Sequence, residues 1–173
     1  MDIPCDTAKL AKGYLVSVSQ RENGQARFHF KRLPSPLKRE EEVCESVDIQ
    51  IPVSSVFKWD ICPLLDLVAV ATRSENKGCV YLKFPTIESL LTGRTRSLEV
   101  EVFKMFGGTK HHDHPMKCQA GAPITESTHI LLTSRRLAAM VHTSGTTYKV
   151  YAWNLKDGKQ YLVSHSISPP KMS

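Results

Sequence analysis

The sequence has no apolar run approaching the ~20 residues that span a bilayer as a helix. Its opening, MDIPCDTAKLAKG, lacks a charged start followed by an apolar core. Neither a membrane segment nor a secretory leader is expected. There is no CxxC pair among the five cysteines, Cys5, Cys44, Cys62, Cys79 and Cys118. An odd, widely spaced set argues against a secreted disulfide framework and for free thiols in a reducing compartment. The expected location is therefore intracellular, cytoplasmic or nuclear. Catalytic signatures are missing too: GxSxG, HExxH, a P-loop and GxGxxG do not occur. Gly107-Gly108-Thr109-Lys110 lacks the leading glycine spacing of a phosphate loop. No enzymatic activity and no cofactor are expected. Finally, no block of lysine and arginine accompanies the net charge of +6, so a basic nucleic-acid binder ranks only as a third reading.

What is present reads as strands. Apolar residues are 41% of the chain and charged residues 23%, the balance of a folded protein. Gly13 to Ser19 and Ala26 to Phe30 form a hairpin around Glu22-Asn23-Gly24, with Ala26, Phe28 and Phe30 on one face. Arg32 to Glu45 carries two prolines and a mixed charge run and reads as a loop. From Ser46 to Val56 the alternation of Val47, Ile49, Ile51 and Val53 predicts a half-exposed strand, placed at an edge by Pro52, which cannot donate to a ladder. Cys62 to Asp66 is a proline turn, Leu98 to Phe103 a strand, and Gly107 to Ala122, rich in Gly, His, Pro and Lys, the longest surface loop. Four strands joined by short turns run from Thr128 to Ser164.

Two stretches pair without a gap at a constant offset of 70, Leu67 to Phe84 and Leu137 to Asn154. Leu67 meets Leu137, Ala69 meets Ala139, and Val80-Tyr81 meets Val150-Tyr151. Both are an apolar strand, a polar turn and a second strand, so the expectation is two equivalent hairpins in a repeat protein.

The end of the later copy, VYAWNLKDGK, has Trp153-Asn154 closing an apolar strand and Asp157-Gly158 in the turn. It resembles the end of a WD-type repeat. With the strand of Leu67 to Thr72 and its flanking Asp60 and Asp66, the chain is similar to the degenerate β-propeller region carried behind an F-box in fungal proteins. The F-box itself is not seen: Leu33-Pro34-Ser35-Pro36-Leu37 invites the comparison, but the charged Lys38 to Glu42 follows in place of a helical apolar stripe. The resemblance implies an all-β fold, a partial or open WD-like β-propeller of antiparallel meander blades. Residues 1–45 would be N-terminal strands and a charged loop that could belong to a preceding blade, 46–164 two blades, and 165–173 a disordered tail. Tyr81, Tyr151, Trp153, Asn154 and Gly158 would be structural repeat positions.

The implied function is protein interaction without chemistry, as the substrate-binding part of an F-box-type ubiquitin ligase receptor. The partner is a protein of unknown identity, and open strand edges could pair with another copy. Loops on a rigid scaffold carry such binding, which points to Gly107 to Gly121. The alternative is a metal-binding or metal-dependent protein using His111, His112 and His114 beside Asp113, residue types that suit zinc or copper. No second Cys/His pair stands at zinc-finger spacing from them. Lys104, Lys110, Lys117, Arg135 and Arg136 could face an acidic partner or serve only as solubilising charge.

Overall fold

A computed structural model describes residues 3–4, 8–35, 43–73, 97–120, 122–143 and 148–167. Among these residues the chain is all-β, and the helical pieces are two single 3-10 turns, Val53–Ser55 and Pro63–Leu65. No helix among them is long and apolar enough to cross a membrane.

The strands form three antiparallel sheets. The first contains β1 (Ile3–Pro4), β2 (Lys9–Ala11), β3 (Tyr14–Gln20), β4 (Gln25–Arg32) and β5 (Cys44–Pro52), ordered β1-β3-β4-β5 with β2 also on β3. The second is β6 (Val56–Cys62), β7 (Leu67–Arg73), β8 (Ser97–Lys104) and β9 (Met116–Gln119), and the third is β10 (His129–Leu132), β11 (Arg136–His142), β12 (Tyr148–Asn154) and β13 (Gln160–Ile167). In the second and third, sequence neighbours are spatial neighbours throughout.

Alternation decides the faces. Val47, Ile49 and Ile51 are buried while Asp48, Gln50 and Pro52 are exposed, and Pro52 ends an edge strand where no ladder donor is needed. This strand belongs to the first sheet, so that unit closes at Pro52 and not at residue 45. One core, including Phe28, Phe30, Ile49, Trp59, Val68, Val70 and Phe103, fills the space between first and second sheets. A second core, including Leu67, Ala69, Ala71, Val100, Leu137, Ala139, Tyr151 and Trp153, fills that between second and third. The middle sheet is covered on both faces, which is why Leu67 to Ala71 is apolar at every position.

The repeat is real in plan, but its register and its return strand differ from the expectation. Both edges of β7 are occupied, by β6 and by β8, where the sequence predicts Cys79 to Phe84 as the returning strand. Those residues, Tyr81 included, lie outside the described ones. The hydrogen bonds give the true correspondence. Met105 N–H donates to Asp66 O as Leu155 N–H donates to Arg135 O, and Gly108 N–H donates to Lys104 O as Gly158 N–H donates to Asn154 O. Asp66 thus matches Arg135 at an offset of 69, and Lys104 matches Asn154 at an offset of 50. Val68, facing the first sheet, is the counterpart of Leu137, facing the second; Leu67 faces the other way. A slip of one residue in a strand exchanges its faces. The counterpart of Trp153-Asn154 is Phe103-Lys104, and that of Gly158 is Gly108.

The three sheets meet along β2, β6 and β10. Lys12 Nζ donates to Asp60 Oδ2 at 2.9 Å, to Ile61 O at 2.5 Å and to Leu132 O at 2.5 Å. Asp60 Oδ2 also accepts from Leu132 N–H at 2.8 Å. One lysine and one aspartate therefore tie a turn of the first sheet to the first strands of the other two. Nearby, Lys9 Nζ lies 3.9 Å from the Trp59 ring centroid and donates to Trp59 O, a cation on an aromatic face.

The two ends of the stack differ. On the outer face of the first sheet, His29 is hydrogen-bonded to both Ser19 and Ser46 at 2.8 Å. Arg21 and Arg27 there pair with Asp48. The Arg27 hydrogen bond, with the two arginine charges, holds the Asp48 carboxyl below the usual carboxylate range. That small stabilisation is present at neutral pH and is lost as pH falls through the lowered value. The outer face of the third sheet instead exposes Leu131, Met140 and Leu162.

Candidate functional site

The turns at one end of the second and third sheets build the most featured surface. After β8 and after β12 the chain makes the same tight turn, closed by Lys104 N–H donating to Thr109 O and by Asn154 N–H donating to Lys159 O. Each turn needs a left-handed residue, supplied by Gly108 and Gly158, both at φ +69°. Each leans on the preceding sheet: Gly108 abuts Asp48 and Val47 of β5, and Gly158 abuts the His112 ring.

The histidine segment is seated here rather than free. His111 N–H donates to Val102 O at 2.7 Å, and the His111 and His112 rings meet edge to face with centroids 4.5 Å apart. Burial, then the charge of His112, lowers the pKa of His111, with a hydrogen bond to the Leu155 backbone opposing and Lys104 adding to the lowering. Both causes favour the neutral imidazole at His111. His112, Asp113 and His114 line a groove of about 520 Å³ with Trp153 and Gly158. Among the described residues no three His, Cys, Asp or Glu side chains gather as a metal-ligand set, so the three histidines do not form the cage that the metal alternative requires.

A larger groove, of about 820 Å³, adjoins it across the β12–β13 turn. Leu65 from the β6–β7 turn, Arg135 from the β10–β11 turn with Arg136 opening β11, and Lys156, Asp157 and Lys159 from the β12–β13 turn with Tyr161 near the start of β13 line it, with His111 at its side. Asp157 Oδ1 accepts from Lys159 N–H, and the Arg136 guanidinium sits 5.3 Å from the Tyr161 ring centroid. Among the described residues, four cations and one carboxylate supply the fixed charge of this groove. Such a surface can hold an anion.

Of the residues singled out in the sequence, Tyr151 and Trp153 stack at 5.9 Å between second and third sheets, and the Tyr151 hydroxyl donates to Gln119 O. Asn154 and Gly158 form the turn just described. Gly107 to Gly121 is not one loop, since Met116–Gln119 is β9, paired to β8. The alternation of buried Met116 and Cys118 with exposed Lys117 and Gln119 is the signal that marks it, obscured by its Gly, His and Pro neighbours. Lys110 and Lys117 are paired with Glu101 and Glu99, whereas Arg135 and Arg136 stand in the groove. Lys156 and Lys159 join them only through the turn geometry, which the sequence did not disclose.

Cys44, Cys62 and Cys118 are free thiols, the first exposed and the others buried. Burial pushes the Cys118 thiol up to about 12, and only the thiolate reacts. Alkylation of the native chain at pH 8, mapped by peptide mass, should mark Cys44 rapidly and Cys118 only after unfolding. Equal labelling of the two would contradict the seating of β9. No family model matches the chain, and no curated protein or solved structure matches it either.

Proposed function

We propose that the chain is part of an open, WD-like β-propeller that works as a protein-interaction module in the cytoplasm or nucleus, the substrate-binding portion of an F-box-type ubiquitin ligase receptor. The observation that carries the reading is the shared plan of the second and third sheets: four-stranded antiparallel meanders, the same closing turn at Gly108 and Gly158, and face-to-face stacking through one apolar core, with a second core joining the second sheet to the first in the same way. Meander sheets stacked by repetition are the construction principle of propellers. Their turns are the parts free to vary while the strands stay fixed. The mechanism is binding without chemistry. Edge strands β5, β9 and β13, unpaired on one side among the described residues, give a route to pairing with another copy.

The test is capture of partners by the full chain from cells, with cross-linking and mass spectrometry, against an unrelated β-sheet protein of similar charge. A protein retained at near-stoichiometric level only by this chain is the expected result. Recovery of nothing beyond the control would remove the interaction reading.

A further inference from the structure

Among the described residues the charges are not evenly balanced. Arg21 and Arg27 are paired with Asp48, Lys110 with Glu101, Lys117 with Glu99 and Lys12 with Asp60. In the larger groove Arg135, Arg136, Lys156 and Lys159 stand together, and among the described residues Asp157 is the only carboxylate lining it. Leu65 and Tyr161, each partly exposed, add apolar surface between the cations.

We propose that this groove docks an acidic peptide segment of a partner protein, with its carboxylates on Arg135, Arg136, Lys156 and Lys159 and one apolar side chain against Leu65 and Tyr161. The inference rests on the reading of the chain as an interaction module and names the chemistry of its partner. Guanidinium groups take carboxylates in pairs of parallel hydrogen bonds, and the volume suits a few side chains. A nucleic acid fits less well. It needs a continuous basic track and aromatic faces for its bases. Here several of the described cations beyond the groove, Lys12, Arg21, Arg27, Lys110 and Lys117, are held by carboxylates, and a single tyrosine lines the groove among the described residues.

The test is fluorescence anisotropy of the full chain with a ten-residue peptide of glutamate and aspartate around a central leucine, carrying a neutral dye. Its glutamine-asparagine counterpart and an oligo-dT strand are run in parallel. At low salt (about 20 mM) the acidic peptide should bind and its amide counterpart should not, with weakening by physiological salt. Replacing Arg135→Gln and Arg136→Gln together should weaken binding roughly tenfold, and Asp157→Asn should tighten it. Lys110→Gln with Lys117→Gln, outside the larger groove, should leave it unchanged. No binding of the acidic peptide at low salt, equal loss in the Lys110/Lys117 variant, or tighter binding of oligo-dT overturns the proposal. Captured partners that are retained equally by the Arg135/Arg136 variant would overturn the groove assignment while leaving the interaction module standing.

Discussion

Replacing Asp60 by alanine is expected to lower stability by about 2 to 4 kcal/mol. The carboxylate accepts from Lys12 Nζ and from Leu132 N–H, and its side chain is only 13% exposed. Its removal leaves a half-buried ammonium without a counter-ion and a buried amide without an acceptor at once. Lys12→Ala should cost less, because that side chain is 38% exposed and its charge is partly screened. Asp60→Asn keeps an acceptor for Leu132 N–H and should fall between wild type and the alanine variant. Asp48→Ala is the control, for Asp48 also pairs with arginines but is 37% exposed, and exposed pairs contribute below about 1 kcal/mol. Urea unfolding decides the matter, and equal midpoints for Asp60→Ala and Asp48→Ala would show that the junction of the three sheets does not depend on this pair.

The second large effect is at Gly108. A Cβ there would lie 2.5 Å from Asp48 O and 2.9 Å from Val47 Cγ1. The turn would have to lift off β5, and φ +69° would have to be held by a residue that resists it. Together these amount to about 2 to 4 kcal/mol for Gly108→Ala. Gly158 has the same φ, but a Cβ there meets nothing closer than His112 Nδ1 at 3.6 Å, an ordinary contact. Gly158→Ala should therefore cost only the backbone penalty, about 1 kcal/mol. The difference between the two variants isolates the contact of the second sheet with the first. Thermal melts that coincide would mean that the turn does not rest on β5 as described.

Much of the fold was legible because one face of a strand was wet. β4, β5 and β8 alternate in sequence, and their inward residues could be named in advance. β6 could not be read: Trp59 to Cys62 is buried at every position, so no period of two survives in its sequence. The same condition explains the misplaced register. Leu67 to Ala71 is apolar throughout, and nothing in it says which side chains face which neighbour. Leu67 was matched to Leu137 by type although the two point toward opposite sides of their own sheets. A better guide was Phe103-Lys104-Met105 followed by Gly108, which parallels Trp153-Asn154-Leu155 followed by Gly158. The candidate site was less legible than the fold. Arg135 and Arg136 stand out in the sequence as basic residues, but their meeting with Lys156, Lys159 and Leu65 depends on three turns arriving at one end of the stack.

The bond from Lys12 to Leu132 O spans 120 positions. As the chain leaves the ribosome, the ammonium destined for that carbonyl emerges long before its acceptor has been made. Until then the first sheet has a cation facing water where the finished molecule has protein. Contacts of this sequence separation slow folding, because the entropy of closing the intervening chain is spent before the bond forms. A chain halted before residue 132 would lack the acceptor through which Lys12 reaches the third sheet.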